Sequence, residues 1–172
     1  MAIFSTTITP EQADLIRSCA LFFVGSADPA LHEGPLGEGP VNVSPKGGVT
    51  LHLLSDRRVA WLDTNGSGNE TGRHAAAGGP VTVMVCSFDG DAAIVRLYGR
   101  ARAVPLADSP LAALLVDEAR ELMSAPRQVI EVEVERTMTS CGYGVPIMSV
   151  VRERQRADRG KRFKPNTSPA PR

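Results

Sequence analysis

The chain has 172 residues, with 19 basic and 19 acidic side chains and 42% apolar residues. That balance excludes a generally basic nucleic-acid binder and a strongly acidic chain. The length supports one domain whose core needs no metal or disulfide staple. The charge is unevenly placed: residues 152–172 carry eight basic and two acidic side chains, and the remainder is correspondingly acidic. Cys19, Cys86 and Cys141 are widely spaced, and no Cys or His set has ligand spacing, so no metal site is expected. A reduced compartment fits three scattered cysteines better than a disulfide framework. The longest apolar runs, 19–24 and 111–116, are too short to span a membrane. No basic segment followed by a long apolar stretch marks a signal peptide. The expectation is a soluble cytoplasmic protein without a membrane or nucleic-acid partner.

In chain order, Thr9-Pro10-Glu11-Gln12 predicts a helix start, with Thr9 as cap, Pro10 at the first helical position and Gln12 completing a capping box. Leu21 to Gly25 reads as a strand, and the Gly- and Pro-rich stretch 28–40 as a long loop. Val41 and Val43 begin a strand that runs into Ser44-Pro45-Lys46-Gly47-Gly48. Residues 49–54 and 58–63 read as strands around a polar turn. The glycine-rich segment from Thr64 to Thr71 leads into a short helix through Ala77, with Ser67 and Glu70 able to form a capping box. Residues 81–88 and 92–104 form a hairpin around Asp89-Gly90. Asp108-Ser109-Pro110 caps a helix through about Met123. In 129–135 the alternation is strict: Ile130, Val132 and Val134 are expected toward a core, and Glu131, Glu133 and Glu135 toward water. A last helix is expected over about 146–157, then a basic, Pro-rich tail. The organisation is one domain over 1–155 with a tail over 156–172. Six or seven strands, mostly joined by short turns, favour a closed or nearly closed antiparallel barrel with helices at its rim.

The residues best placed to carry chemistry lie in 42–48 and 63–74. Lys46 leaves the end of a strand, and two glycines after it let backbone approach a ligand. Ser67, Asn69 and Thr71 sit at a helix start, with Arg73 a turn later. Together they read as a phosphate site; the alternative reading is a capped surface helix with a solvated arginine. His74 on the same helix faces either a ligand or solvent. Arg96, Arg100 and Arg102 share a strand face and are expected to meet the acidic strand around Glu133 rather than an anionic ligand. Cys141, in the run Thr139 to Pro146, either lines a cleft or packs as a small residue.

The order of elements and these motifs resemble the pyridoxamine 5'-phosphate oxidase-like family, the flavin-binding split barrels. VNVSPKG matches a strand ending in a lysine, WLDTNGSGNE a hairpin ending in a Thr-Asn turn, and RHAAAGGPVTVMVCSF a short helix leading into a core strand. IVRLYGRARAV matches the partner strand. The resemblance covers roughly 12–145. It implies a mainly β fold with peripheral helices, a six-stranded antiparallel split β-barrel. It also implies a homodimer holding flavin mononucleotide (FMN) between subunits. Lys46 would hold the flavin phosphate, Asp63 and Thr64 would lie beside the flavin, and Ser67, Asn69, Thr71 and Arg73 would form the phosphate turn. The implied activity is an FMN-dependent oxidoreductase of unknown substrate. The alternatives are a flavin-binding or sensing module without turnover, or a relative using the deazaflavin F420. Three departures from the family pattern stand out, the first in the phosphate turn and the other two against vitamin B6 oxidation. Ser67-Gly68-Asn69 replaces Ser-Arg-Lys, and Ala93-Ile94 stands where the oxidase has Arg-Gln. The single tryptophan, Trp61, is not in the tail.

Overall fold

A computed structural model describes residues 2–65, 68–113, 115, 126–154 and 158. Its elements are β1 (Ile3–Ser5), α1 (Pro10–Ser18), β2 (Leu21–Ala27), β3 (Val41–Gly47), β4 (His52–Ser55), β5 (Arg58–Thr64), α2 (Glu70–Ala76), β6 (Pro80–Cys86), β7 (Ala93–Val104) and β8 (Pro126–Cys141), with a 3-10 turn at Leu106–Asp108. Helix α1 begins as its sequence predicts. Thr9 Oγ1 accepts from the Gln12 amide at 3.3 Å, and the Gln12 side chain accepts from the Thr9 amide at 3.1 Å.

Eight strands form one antiparallel sheet in the order β3-β2-β6-β7-β8-β5-β4, with β1 added to β8. The six or seven strands expected from the sequence, and the six implied by the resemblance, fall short. β1 is only three residues long, and its Ile3 and Phe4 are exposed, so no buried row marks it in the sequence. The sheet curls on itself. Phe22 on β2 and Trp61 on β5, separated by three intervening strands, pack edge to face at 5.7 Å. The main core lies inside this curl and joins Phe22, Val24, Val83, Leu97, Trp61 and Ile130. A smaller cluster of Ala60, Leu62, Leu115 and Val129 packs on the other face of β5 and β8. At the ends of the strand order lie β3 and β4, with no ladder between them among the described residues.

The 16-residue β8 changes phase once. On β7, Tyr98 pairs with Arg136 but Gly99 pairs with Val134, so Glu135 is an extra residue, a β-bulge. Ile130, Val132 and Val134 face the core before it, and Thr137 faces inward after it. A Cβ on Gly99 would overlap the Glu133 carbonyl, so glycine is what lets the two strands approach there. The sequence reading ended the strand at 135 because the alternation breaks at this bulge.

Other expectations are corrected. Residues 146–154 form no helix; the Met148 amide donates to the Phe88 carbonyl at 2.9 Å, which ties the segment to the turn after β6. Glu131 is buried rather than solvated. Its Oε2 accepts from Arg102 at 2.7 and 3.1 Å and from Arg58 at 2.9 Å. Two arginines compensate the buried charge, a pairing across strands that alternation alone does not reveal. Arg100 meets Glu135 at 3.7 Å, whereas Arg96 donates to Ser140 Oγ at 3.1 Å. Most of the helix expected over 108–123 lies outside the described residues, as does the tail apart from Asp158.

Candidate functional site

The seam left by edge strand β3 opens into a cleft of about 340 Å³, lined by Asn42–Lys46, Asp63, Thr64, Gly68–Thr71 and Arg127. Its two walls follow from register. Lys46 pairs with inward-facing Phe22, so Asn42, Ser44 and Lys46 form the inward row of β3. With no further strand to cover that row, it carries polar groups. The opposite wall is the end of the inward row of β5. Val59 and Trp61 are core, and Asp63 is the first polar member, at the mouth of the curl. An edge strand facing a sheet terminus thus brings together two segments far apart in sequence.

Lys46 Nζ lies 3.5 Å from Asp63 Oδ1, at the long end of hydrogen-bond range. Gln128 Nε2 donates to Asp63 Oδ2 and to Asn69 Oδ1, both at 3.1 Å, and so ties β5 to the turn before α2. Asn42 Nδ2 donates to Thr71 Oγ1 at 3.4 Å, spanning the walls. Arg127 clamps the turn itself: it donates to Asn65 Oδ1 at 3.2 Å, to the Gly68 carbonyl at 3.1 Å and to the Thr64 carbonyl at 3.5 Å. Two cations, Lys46 and Arg127, face two carboxylates, Asp63 and Glu70, so the lining is electrically balanced.

Of the residues singled out in the sequence, Lys46, Asp63, Thr64, Asn69 and Thr71 meet in this cleft, and Ser67 lies outside the described residues. Asn69 is the N-cap of α2, without a side-chain cap bond, and α2 has only two turns. Arg73 is not among the lining residues; it turns to the loop 28–40 and meets Glu38 Oε2 at 3.6 Å. His74 faces neither ligand nor solvent. It is buried, and its Nδ1 shares a 2.9 Å hydrogen bond with Ser26 Oγ on β2. Sequence reasoning missed Arg127 and Gln128. Their signal was present as two polar residues just before the alternating run 129–135, but only the β5–β8 pairing of Asp63 with Gln128 shows where they lead. Cys141 is exposed at the end of β8, outside the cleft lining. Burial pushes the Cys19 and Cys86 thiols above their ordinary range, which keeps them protonated. Among the described residues, no group of three or more His, Cys, Asp or Glu is placed to hold a metal, and no helix is long and apolar enough to cross a membrane.

The chain is 33% identical over 152 residues to the pyridoxamine 5'-phosphate oxidase family protein ustO of Aspergillus flavus, an alignment covering 87% of this chain and 58% of that protein. This chain is homologous to the pyridoxamine 5'-phosphate oxidase-like proteins. The chain therefore spans somewhat over half the length of that relative. No family model matches it. Solved structures share the fold. The Group A Streptococcus protein HupZ superposes with a TM-score of 0.57 at 22% identity, covering 76% of this chain and 91% of that one. An FMN-binding protein from Syntrophomonas wolfei superposes at 0.53 with 11% identity, covering 81% and 84%.

Proposed function

We propose that this member of the pyridoxamine 5'-phosphate oxidase-like group binds FMN in the β3–β5 seam and acts as a flavin-dependent oxidoreductase on a small molecule. The observation that carries the reading is the inward row of edge strand β3, ending in Lys46, opposite a turn held by Arg127. The donor set fits a phosphate-bearing group: two cations, the hydroxyls of Ser44, Thr64 and Thr71, and the side-chain amides of Asn42 and Asn69. Asp63 and Glu70 oppose an anion, so affinity depends on Lys46 exchanging its loose contact with Asp63 for the phosphate. Bound flavin would supply the hydride chemistry. Asp63 and Gln128 orient Lys46 and Asn69, and Arg127 keeps the turn in place.

The same reading includes a homodimer in which the split barrel is completed by a second copy. Phe23, Met84, Tyr98, Met138, Phe4 and Val43 share the outward face of the sheet through successive strand pairs. Phe4 is 55% and Val43 71% exposed. Arg96 and Arg136 interrupt this face, and its exposed apolar side chains make it the association surface in this reading. The face is continuous with β3 and hence with the cleft. Sedimentation should give a dimer, and Val43→Glu should shift it to monomer.

The deciding experiment is a visible absorption spectrum of the purified protein, followed by FMN titration of any colourless form. Flavin bands or saturable FMN binding are expected. Reduction of that flavin by NADH, NADPH or a substrate panel would establish turnover. A bound flavin that none of them reduces would leave a binding module. Failure to bind FMN, with binding of F420, would reassign the cofactor.

A further inference from the structure

We propose that Arg73 and Glu38 are a positioning pair that fixes the spacing of the two cleft walls, and that Arg73 is not an anion ligand; the effect on flavin rests on the function proposed above. The loop 28–40 is closed on itself. The Asp28 amide donates to the Pro40 carbonyl at 2.9 Å, joining its ends, and the Gly34 amide donates to the Glu38 carbonyl at 2.7 Å. The Glu38 carboxylate folds back into this loop, where Oε2 accepts from the Leu36 amide at 3.0 Å. The same oxygen faces Arg73, while Oε1 is buried without a hydrogen-bond partner. A buried carboxylate oxygen lacking a hydrogen bond is costly unless a cation stands nearby, and Arg73 is that cation. The pair closes so tightly over Gly34 that a Cβ there would overlap both side chains.

The consequence comes from what the pair connects. Beyond Pro40 the loop becomes β3, which carries Asn42, Ser44 and Lys46 into the cleft. Arg73 belongs to α2, which carries Thr71 into the same cleft from the other side, following its cap residue Asn69. Asn42 and Thr71 bridge the walls within the cleft at 3.4 Å, a weak contact. Glu38 and Arg73 bridge the same two segments outside it. A guanidinium engaged in this way holds the wall that carries Thr71, and the anion is left to groups that line the cleft.

FMN and riboflavin differ only in the phosphate and separate the two roles. Arg73→Gln and Glu38→Gln should each weaken both flavins by the same factor, about three- to tenfold. The ratio of the two affinities should stay near that of the unmodified protein. The double variant should be no worse than either single one. Lys46→Ala, the control, should lower FMN affinity and spare riboflavin. Selective loss of FMN affinity in Arg73→Gln would overturn the proposal by making Arg73 a phosphate ligand, as would additive losses in the double variant. Hydrogen exchange on the flavin-free protein gives a readout that survives if the protein binds no flavin at all. Either single substitution should speed exchange in both 29–39 and 69–76. Acceleration confined to the substituted segment would also overturn the pairing.

Discussion

The β5–β8 ladder carries two mixed-charge clusters, one on each face, and they are built in opposite ways. On one face, Glu131 is buried and its Oε2 accepts three arginine hydrogen bonds of 2.7 to 3.1 Å. On the other, Lys46 stands 3.5 Å from Asp63 beside an open cleft. The first cluster is tightly paired through one oxygen: its charge has been taken from water and answered at Oε2 by short, charge-assisted bonds, while Oε1 is buried without a hydrogen bond. The second is loosely paired and still reachable from outside. Short bonds around a sheltered charge hold strands together, whereas long bonds around an accessible one leave donors that a ligand can take over.

The largest effect should come from stranding the buried charge. Arg58→Ala combined with Arg102→Ala leaves Glu131 buried without its cations and should cost about 3–5 kcal/mol in chemical denaturation. A loss below about 1 kcal/mol would show that water replaces both arginines. Lys46→Ala tests the loose cluster. FMN affinity should fall by about 1.5–3 kcal/mol in a fluorescence titration, and folding stability should move by less than about 1 kcal/mol. An unchanged affinity would remove Lys46 from the site. Glu131→Gln should be milder than the arginine double variant, at about 1–2 kcal/mol, because both arginines are partly exposed and return to water.

Acid sharpens the same contrast. Burial pushes the Glu131 carboxyl upward, but the hydrogen bonds and charges of Arg102 and Arg58 outweigh it and hold the group below its ordinary value of 4.5. Its contribution to stability is therefore complete above that value and is lost as pH falls through the lower folded value. Denaturation midpoints should fall below pH 4.5 in the unmodified protein, and that part of the fall should vanish in Glu131→Gln. The smallest effect should be a gain. Asp63→Asn removes the negative charge beside Lys46 and should tighten FMN binding by up to about fivefold in the same titration. Weaker binding would mean that Asp63 orients Lys46 more than it competes with the phosphate.

How far the sequence could be read differs along the chain for physical reasons. The start of α1 was legible because its capping box is local: Thr9 and Gln12 need only each other. Lys46, Asp63, Thr64, Asn69 and Thr71 could be singled out as a group because each stands at a strand end or helix start. The surroundings of Arg73 and His74 were not legible, because local spacing fixes where a side chain leaves a helix but not what waits there. Glu38 and Ser26 lie on other segments, and only the fold brings them close. Arg127 and Gln128 were passed over because their meaning comes from cross-strand pairing with the end of β5. Glu131 was misread because alternation assigns a face and is silent about arginines on neighbouring strands.

The bulge at Glu135 also bears on which length changes the gene can tolerate. Deleting that one codon would remove the phase shift in β8. Thr137 and Thr139 would then rotate outward, and Arg136 and Met138 would turn toward the core. A codon gained between 88 and 91, in the exposed turn joining β6 to β7, meets no such penalty, because a hairpin loop can lengthen without reversing either strand. Among descendants of this sequence, insertions and deletions should therefore gather at that turn and spare position 135, even though Glu135 itself is an exposed side chain.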